Sequence, residues 1–177
     1  MNRTCFVIGG CRSGKSAHAL ELAQRQPGRR KLFIATCQPH DEEMQRRVQR
    51  HQHERSRQWQ TLEEPVAVAE AIVRQSRCQD VILVDCLTLW ISNLLLDHGQ
   101  EDAVRRHVED LICRLPDVRC PVYLVSNEVG TGIVPQNDLS RLFRDCVGFA
   151  NQRVATAAGR VVWMVAGIPV TIKGGQL

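Results

Sequence analysis

The stretch Thr4-Cys5-Phe6-Val7-Ile8-Gly9-Gly10-Cys11-Arg12-Ser13-Gly14-Lys15-Ser16 decides the fold. Its first five residues suit a buried strand, and Gly9 to Ser16 match the spacing GxxxxGK[ST] with a helical segment to follow. Glycines let the backbone turn tightly so that successive N–H groups face one concavity, and the helix start adds the positive end of its dipole. Phosphate oxygens fit such a cradle. Lys15 would reach the β and γ phosphates and Ser16 would join a Mg²⁺ shell. A glycine-rich turn that happens to precede a helix is the plain alternative, but all four fixed positions and both flanks are in place.

Outward from this loop, apolar β-branched runs alternate with longer segments of helical period, the pattern of an α/β fold with a mainly parallel sheet flanked by helices. Strands are predicted at Thr4 to Ile8, Lys31 to Thr36, Val81 to Val84, Pro121 to Ser126 and Arg160 to Ala166. A last short strand, Val170 to Lys173, follows Gly167-Ile168-Pro169 and is predicted to close a C-terminal β-hairpin. Helices are predicted over about 14–25, 41–57, 65–75, 86–97, 101–115 and 138–158. In the last, Leu139, Leu142, Phe143, Cys146, Ala150, Val154 and Ala157 mark the apolar face. Asn137 or Asp138 would cap its start, and Gly159 would end it in a left-handed conformation. No repeat, low-complexity tract or linker interrupts the chain, so its 177 residues are read as one domain.

Val81-Ile82-Leu83-Val84-Asp85 ends a hydrophobic strand on an acid, at the sheet edge where open parallel sheets bind ligands. Such an Asp is often only a helix cap. Beside a phosphate loop it becomes the candidate partner of Ser16 in holding Mg²⁺, and the pair implies a nucleoside triphosphate.

Composition narrows the classes. Hydrophobic residues make up 44% and charged residues 24%, which excludes a wholly disordered or collagen-like chain. No apolar run is long enough to span a bilayer. Met1 to Gly10 lacks the basic, apolar and small-residue sections of a secretion leader, so a cytoplasmic protein without membrane insertion is predicted. The net charge is +4, from 23 Lys plus Arg against 19 Asp plus Glu. That mild excess suits anionic small molecules, whereas a nucleic-acid partner calls for a stronger and more segregated basic face. The eight cysteines show no CxxC pair and no zinc spacing, and are read as reduced thiols in the core or around the pocket.

The segment Asp41 to Arg57 holds five arginines, four carboxylates and the histidines His51 and His53. Its composition is that of a solvated helix laced with i,i+4 pairs. Its position just beyond the second strand also allows a histidine to attack the α-phosphorus of a nucleotide, since neutral imidazole is a competent nucleophile and neighbouring arginines would keep it neutral.

These residues resemble the bifunctional adenosylcobinamide kinase / adenosylcobinamide-phosphate guanylyltransferase family of cobalamin biosynthesis. The resemblance spans nearly the whole chain. It rests on the phosphate loop, Ile34-Ala35-Thr36, Asp41-Glu42-Glu43-Met44, Arg47-Val48, His51, Arg55, Trp59, Val84-Asp85-Cys86-Leu87-Thr88, Ser92-Asn93-Leu94-Leu95, Ser126-Asn127-Glu128-Val129-Gly130, Gly132-Ile133-Val134-Pro135, Phe143-Arg144-Asp145, Asn151-Gln152-Arg153 and Gly167-Ile168-Pro169. It implies a RecA-like P-loop NTPase fold, a homotrimer, and two reactions on one corrinoid. The first phosphorylates the aminopropanol hydroxyl of adenosylcobinamide with ATP or GTP. The second passes GMP from GTP, through a GMP-histidine, to adenosylcobinamide phosphate, giving adenosylcobinamide-GDP and pyrophosphate.

By resemblance, His51 is the guanylylated nucleophile and Lys15 the catalytic cation. The nucleotide pocket would comprise Gly9, Gly10, Cys11, Arg12, Ser13, Gly14, Lys15, Ser16, Ala35, Thr36, Cys37, Gln52, His53, Glu54, Glu63 and Asp85, with Glu64 adjoining Glu63. The chain departs from the family at Arg50-His51, where other members carry two histidines and the first is associated with the nucleophile. His51 remains in register, and His53 lies about 200° around an ideal helix from it. A P-loop kinase of another small alcohol and a RecA-like switch NTPase are the rival readings.

Overall fold

The computed structural model describes residues 3–38 and 58–175. Seven strands form one sheet: β1 (Thr4–Gly9), β2 (Lys31–Ala35), β3 (Trp59–Glu63), β4 (Val81–Asp85), β5 (Val122–Asn127), β6 (Arg160–Val165) and β7 (Ile168–Lys173). Their spatial order is β3-β2-β4-β5-β1-β6-β7, parallel throughout except for the antiparallel β6/β7 pair. The helices are α1 (Lys15–Gln24), α2 (Val68–Gln75), α3 (Leu87–His98), α4 (Glu101–Arg114) and α5 (Asp138–Ala157), with a short 3₁₀ turn at Leu115–Asp117. The predicted helix at 41–57 lies outside the described residues.

Burial on both faces explains why the central strands read as unbroken aliphatic runs. In β4, Ile82 and Val84 enter the core beneath α2 to α5, while Val81 and Leu83 enter the core beneath α1. In β1, Phe6 joins the first core and Cys5 and Val7 the second. Two of the three lysines serve helix ends. Buried Lys31 donates to the carbonyls of Gln24 and Gln26 just past α1, and Lys173 to those of Ala155 and Thr156. Such cations offset the negative end of a helix dipole.

Several expectations are corrected. The strand β3, Trp-Gln-Thr-Leu-Glu, was not expected; as an edge strand it buries only Trp59, so it carries no aliphatic run. Strand β7 starts at Ile168, two residues before the predicted Val170. Its turn is Ala166-Gly167, with φ of 51° and 83°, the double positive φ that a tight hairpin favours. Helix α5 does not end on a left-handed glycine. Ala158 turns extended at φ −66° and ψ 143°, and the Gly159 N–H joins the Thr4 carbonyl at 3.0 Å instead. Leu139, expected on the apolar face, is 58% exposed, because α5 packs against the core only from Leu142 and has fully buried residues only from Cys146. Asn137 is the N-cap, its Oδ1 accepting from the Ser140 N–H at 2.7 Å. All eight cysteines are free thiols. Cys5, Cys86, Cys120 and Cys146 are buried, whereas Cys78 and Cys113 are exposed and outside the core.

Candidate active site

The C-terminal edge of the sheet gathers the predicted residues that lie in the described part of the chain. In register, Ala35 of β2 pairs with both Glu63 of β3 and Asp85 of β4, so these three residues form one row across the sheet. Strand β5 follows, and Gly9 of β1 pairs with its Asn127. The phosphate loop leaves β1 from this same edge. His51, Gln52, His53 and Glu54 lie outside the described residues.

The loop is shaped by close contacts. A Cβ on Gly9 would stand 2.6 Å from Ser13 Oγ and 2.7 Å from the Met164 carbonyl oxygen, so only glycine fits there. Gly14 caps α1 in the left-handed region at φ 85°, and Arg12 shares that region at φ 56°. The Gly167 N–H of the β6/β7 turn donates to the Ser13 carbonyl at 3.1 Å, tying the hairpin to the loop. Lys15 is largely buried, and its Nζ donates to the Gly10 carbonyl at 3.2 Å, so the ammonium lies over the concavity of the loop.

Asp85 ends β4 at the same edge, with β5 between it and the strand that carries the loop. Burial pushes the Cys86 thiol up to about 12; the Asp85 carboxylate pushes the same way, and the Lys15 ammonium opposes it. Both charges therefore act on one buried group. Among the described residues no hydrogen bond or ion pair engages the Asp85 carboxylate or the Ser16 hydroxyl. Two hard-oxygen donors beside a phosphate cradle fit Mg²⁺, which takes few protein ligands and completes its shell with phosphate and water. No cluster of three or more His, Cys, Asp or Glu suited to a metal occurs among the described residues.

A polar framework behind this edge carries no signal in the sequence beyond isolated polar residues in apolar segments. Buried Thr36 donates to the Cys86 carbonyl at 2.7 Å and accepts from its N–H at 2.9 Å. Asn93 of α3 donates to the carbonyls of Thr36 at 2.7 Å and Pro65 at 3.1 Å. Thr88 Oγ1 accepts from the Asn127 N–H at 2.7 Å and lies 3.2 Å from Ser126 Oγ. Asn151 of α5 donates to the Asn127 carbonyl at 3.0 Å. The ends of β2 and β5 are thus pinned by side chains from α3 and α5, and the end of β4 by Thr36.

The framework also separates the adjoining glutamates. Glu64 Oε1 accepts from the N–H groups of Val66 and Ala67 at 3.2 and 2.8 Å and so organises the entry to α2, while exposed Glu63 takes no such part. The loop after β5 folds against α5: Glu128 Oε1 accepts from the Gly130 N–H at 2.5 Å, and Arg144 donates to the Gly130 carbonyl at 2.7 Å. Ile133 remains 98% exposed at its tip. A groove of about 1230 Å³ lies at the opposite, N-terminal edge, lined by Arg3, Tyr123 and Arg160 among others. It holds no phosphate-loop residue, and the chemistry of the other edge, not the size of this groove, locates the site.

Residues 5–172 match the family described as cobinamide kinase / cobinamide phosphate guanyltransferase. The chain is 42% identical over 174 residues to the bifunctional adenosylcobalamin biosynthesis protein CobP of Pseudomonas aeruginosa, covering 97% of this chain and 98% of that one. It is 43% identical over 180 residues to the CobU protein of the same description from Salmonella typhimurium, covering 95% and 98%. The Escherichia coli CobU protein is 40% identical over 182 residues, again covering 95% and 98%. Among solved structures, a structural-project protein of Pyrococcus horikoshii OT3 superposes with a TM-score of 0.60 at 7% identity, covering 99% of this chain and 88% of that one. A KaiC-like protein of the same organism gives 0.50 at 12%, covering 92% and 70%. At such identities these structures speak for the fold alone, a RecA-like P-loop architecture.

Proposed function

Because the chain belongs to the cobinamide kinase / cobinamide phosphate guanyltransferase family, we propose that it runs both reactions at the C-terminal edge of its sheet, on adenosylcobinamide and then on adenosylcobinamide phosphate. The observation that carries this reading is the convergence of Lys15, Ser16, Asp85 and the Ala35/Glu63 row on one edge.

In the kinase step, the loop's N–H groups and Lys15 bind the β and γ phosphates of ATP or GTP and neutralise charge on the transferring group. Ser16 and Asp85 would hold Mg²⁺, Asp85 through water; the ion would draw charge from the phosphate oxygens. The framework of Thr36 and Asn93 keeps Asp85 and Ala35 in place. In the guanylyl step, His51 attacks the α-phosphorus of GTP, pyrophosphate leaves, and the phosphate of adenosylcobinamide phosphate then displaces the histidine. Cys11, Arg12, Thr36, Cys37, Gln52, His53, Glu54 and Glu63 complete the nucleotide pocket in this reading. Glu63 is preferred to Glu64 because the latter is occupied at the start of α2.

A homotrimer fits the β6/β7 hairpin. Ile168, Val170 and Ile172 alternate along edge strand β7, facing Trp163 and Val165 of β6, and all five are between 43% and 65% exposed. An apolar edge of this kind invites a further copy of the chain. No helix among the described residues is long and apolar enough to cross a membrane; action in the cytoplasm is part of the proposal.

The test of His51 is covalent trapping. Incubation with α-labelled GTP should give acid-labile, base-stable label on wild type and none on His51→Asn. Equal labelling of the variant, or none of wild type, would exclude the histidine route. Survival of kinase turnover in the variant is expected.

A further inference from the structure

Native interiors leave few polar atoms unpaired, and an orphan at a ligand edge calls for an explanation. Six buried side-chain atoms among the described residues have no hydrogen-bond partner; three of them, Ser13 Oγ, Asn127 Oδ1 and Asn151 Oδ1, belong to the phosphate loop, the end of β5 and the helix bonded to that end. Asn127 is the best placed. Strand β5 runs between β4, which ends on Asp85, and β1, which ends in the phosphate loop. Asn127 is level with Gly9, one strand spacing of about 4.8 Å from the start of the loop, and two residues beyond the row of Asp85, so it stands in the interval between metal acid and loop. A terminal phosphate held by Lys15, and a hydroxyl approaching it, must meet in that interval.

The backbone of Asn127 is fixed on every side. Its N–H donates to Thr88 Oγ1 and its carbonyl accepts from Asn151, while the next residue, Glu128, donates its N–H to the Gly9 carbonyl at 3.0 Å. The framework therefore fixes Asn127 beside the start of the phosphate loop and leaves its buried Oδ1 without a partner among the described residues. A side-chain amide can accept and donate at once. That is the need of a group standing between an alcohol and a phosphate.

Resting on the kinase reading above, we propose that Asn127 is a catalytic residue of the phosphoryl transfer, its Oδ1 accepting the O–H of the acceptor alcohol and its Nδ2 donating to a γ-phosphoryl oxygen, with Asn151 as the positioning residue behind it. The alcohol oxygen forms the new bond to the γ-phosphorus. The bond from that phosphorus to the bridging oxygen breaks, and the nucleoside diphosphate leaves with the electron pair. The hydroxyl proton passes to an oxygen of the transferred phosphoryl group.

The experiment compares wild type with Asn127→Ala and the isosteric Asn127→Asp, and with Lys15→Ala, using adenosylcobinamide, Mg²⁺ and ATP. It reads kcat, the KM for the corrinoid, the Kd of a fluorescent ATP analogue, and Tm. Loss of a transition-state donor costs about 10²–10³-fold in kcat. That fall is expected in both Asn127 variants, with the Kd within about 5-fold of wild type and, in Asn127→Asp, an unchanged Tm. A kcat within about 3-fold of wild type in Asn127→Asp would overturn the inference, as would a fall matched by equal weakening of the Kd or by loss of the folded state in both variants. Turnover near wild type in Lys15→Ala would instead remove the kinase reading on which the inference rests.

Discussion

Replacing Thr36 with valine tests whether the framework behind the sheet edge holds the candidate metal acid. Thr36 is fully buried, and its hydroxyl makes two hydrogen bonds with one residue, donating to the Cys86 carbonyl at 2.7 Å and accepting from the Cys86 N–H at 2.9 Å. Valine fills the same volume without the hydroxyl, so no cavity opens. The Cys86 N–H is left unpaired at about 1–3 kcal/mol, and the Cys86 carbonyl, which keeps the Trp90 N–H at 3.2 Å, loses one hydrogen bond of about 1 kcal/mol, so Thr36→Val should cost roughly 2–4 kcal/mol. That is a large part of a domain stability of about 5–15 kcal/mol. Thr36→Ser keeps the hydroxyl and should lose only about 1 kcal/mol for the missing methyl. Urea unfolding of the three proteins measures both values. Cys86 follows Asp85 directly, so the Mg²⁺ concentration for half-maximal kinase rate should also rise, by on the order of 10-fold in Thr36→Val. A loss below about 1 kcal/mol with unchanged Mg²⁺ dependence, or an equal loss in Thr36→Ser, would refute the clamp.

Gly9→Ala should destabilise by roughly 1–3 kcal/mol and weaken triphosphate binding, because the Met164 carbonyl 2.7 Å from the new Cβ is backbone and cannot turn away; urea unfolding and nucleotide titration check both. Iodoacetamide should modify exposed Cys11, Cys78 and Cys113, while buried Cys86, its thiol pushed up to about 12, resists. Mg²⁺ with a triphosphate should protect Cys11 alone, as read by peptide mass mapping. The Asp80 carboxyl is held at about 2 by its hydrogen bond from Arg30 and the Arg29 and Arg30 backbone N–H groups. A depressed carboxyl contributes stability that is present above its ordinary value of 3.8 and is lost as the pH falls through about 2. Asp80→Asn should therefore flatten the urea midpoint against pH over that interval.

The strand, loop and helix at the start of the chain were legible because a parallel strand buried on both faces must be continuously apolar, and because the loop needs fixed residues at fixed spacing. Strand β4 and its terminal Asp85 followed for the same reason. Strand β3 was not legible: at an edge only Trp59 needs burial, and Gln60, Thr61 and Glu63 look like loop. Glu63 could not be told from Glu64 until the capping bonds at α2 were seen. Thr36, Thr88, Asn93 and Asn151 bond only across the fold, to partners from 24 to 57 residues away in sequence. An isolated asparagine within the Leu- and Ile-rich helix α3 was the one local sign of that framework.

The most direct measurement is product identification after incubating the chain with adenosylcobinamide, Mg²⁺ and GTP or ATP. Mass analysis should find adenosylcobinamide phosphate first and then, with GTP, adenosylcobinamide-GDP and pyrophosphate, while Lys15→Ala forms no phosphorylated corrinoid. Hydrolysis of the triphosphate with the corrinoid left unchanged would contradict the account.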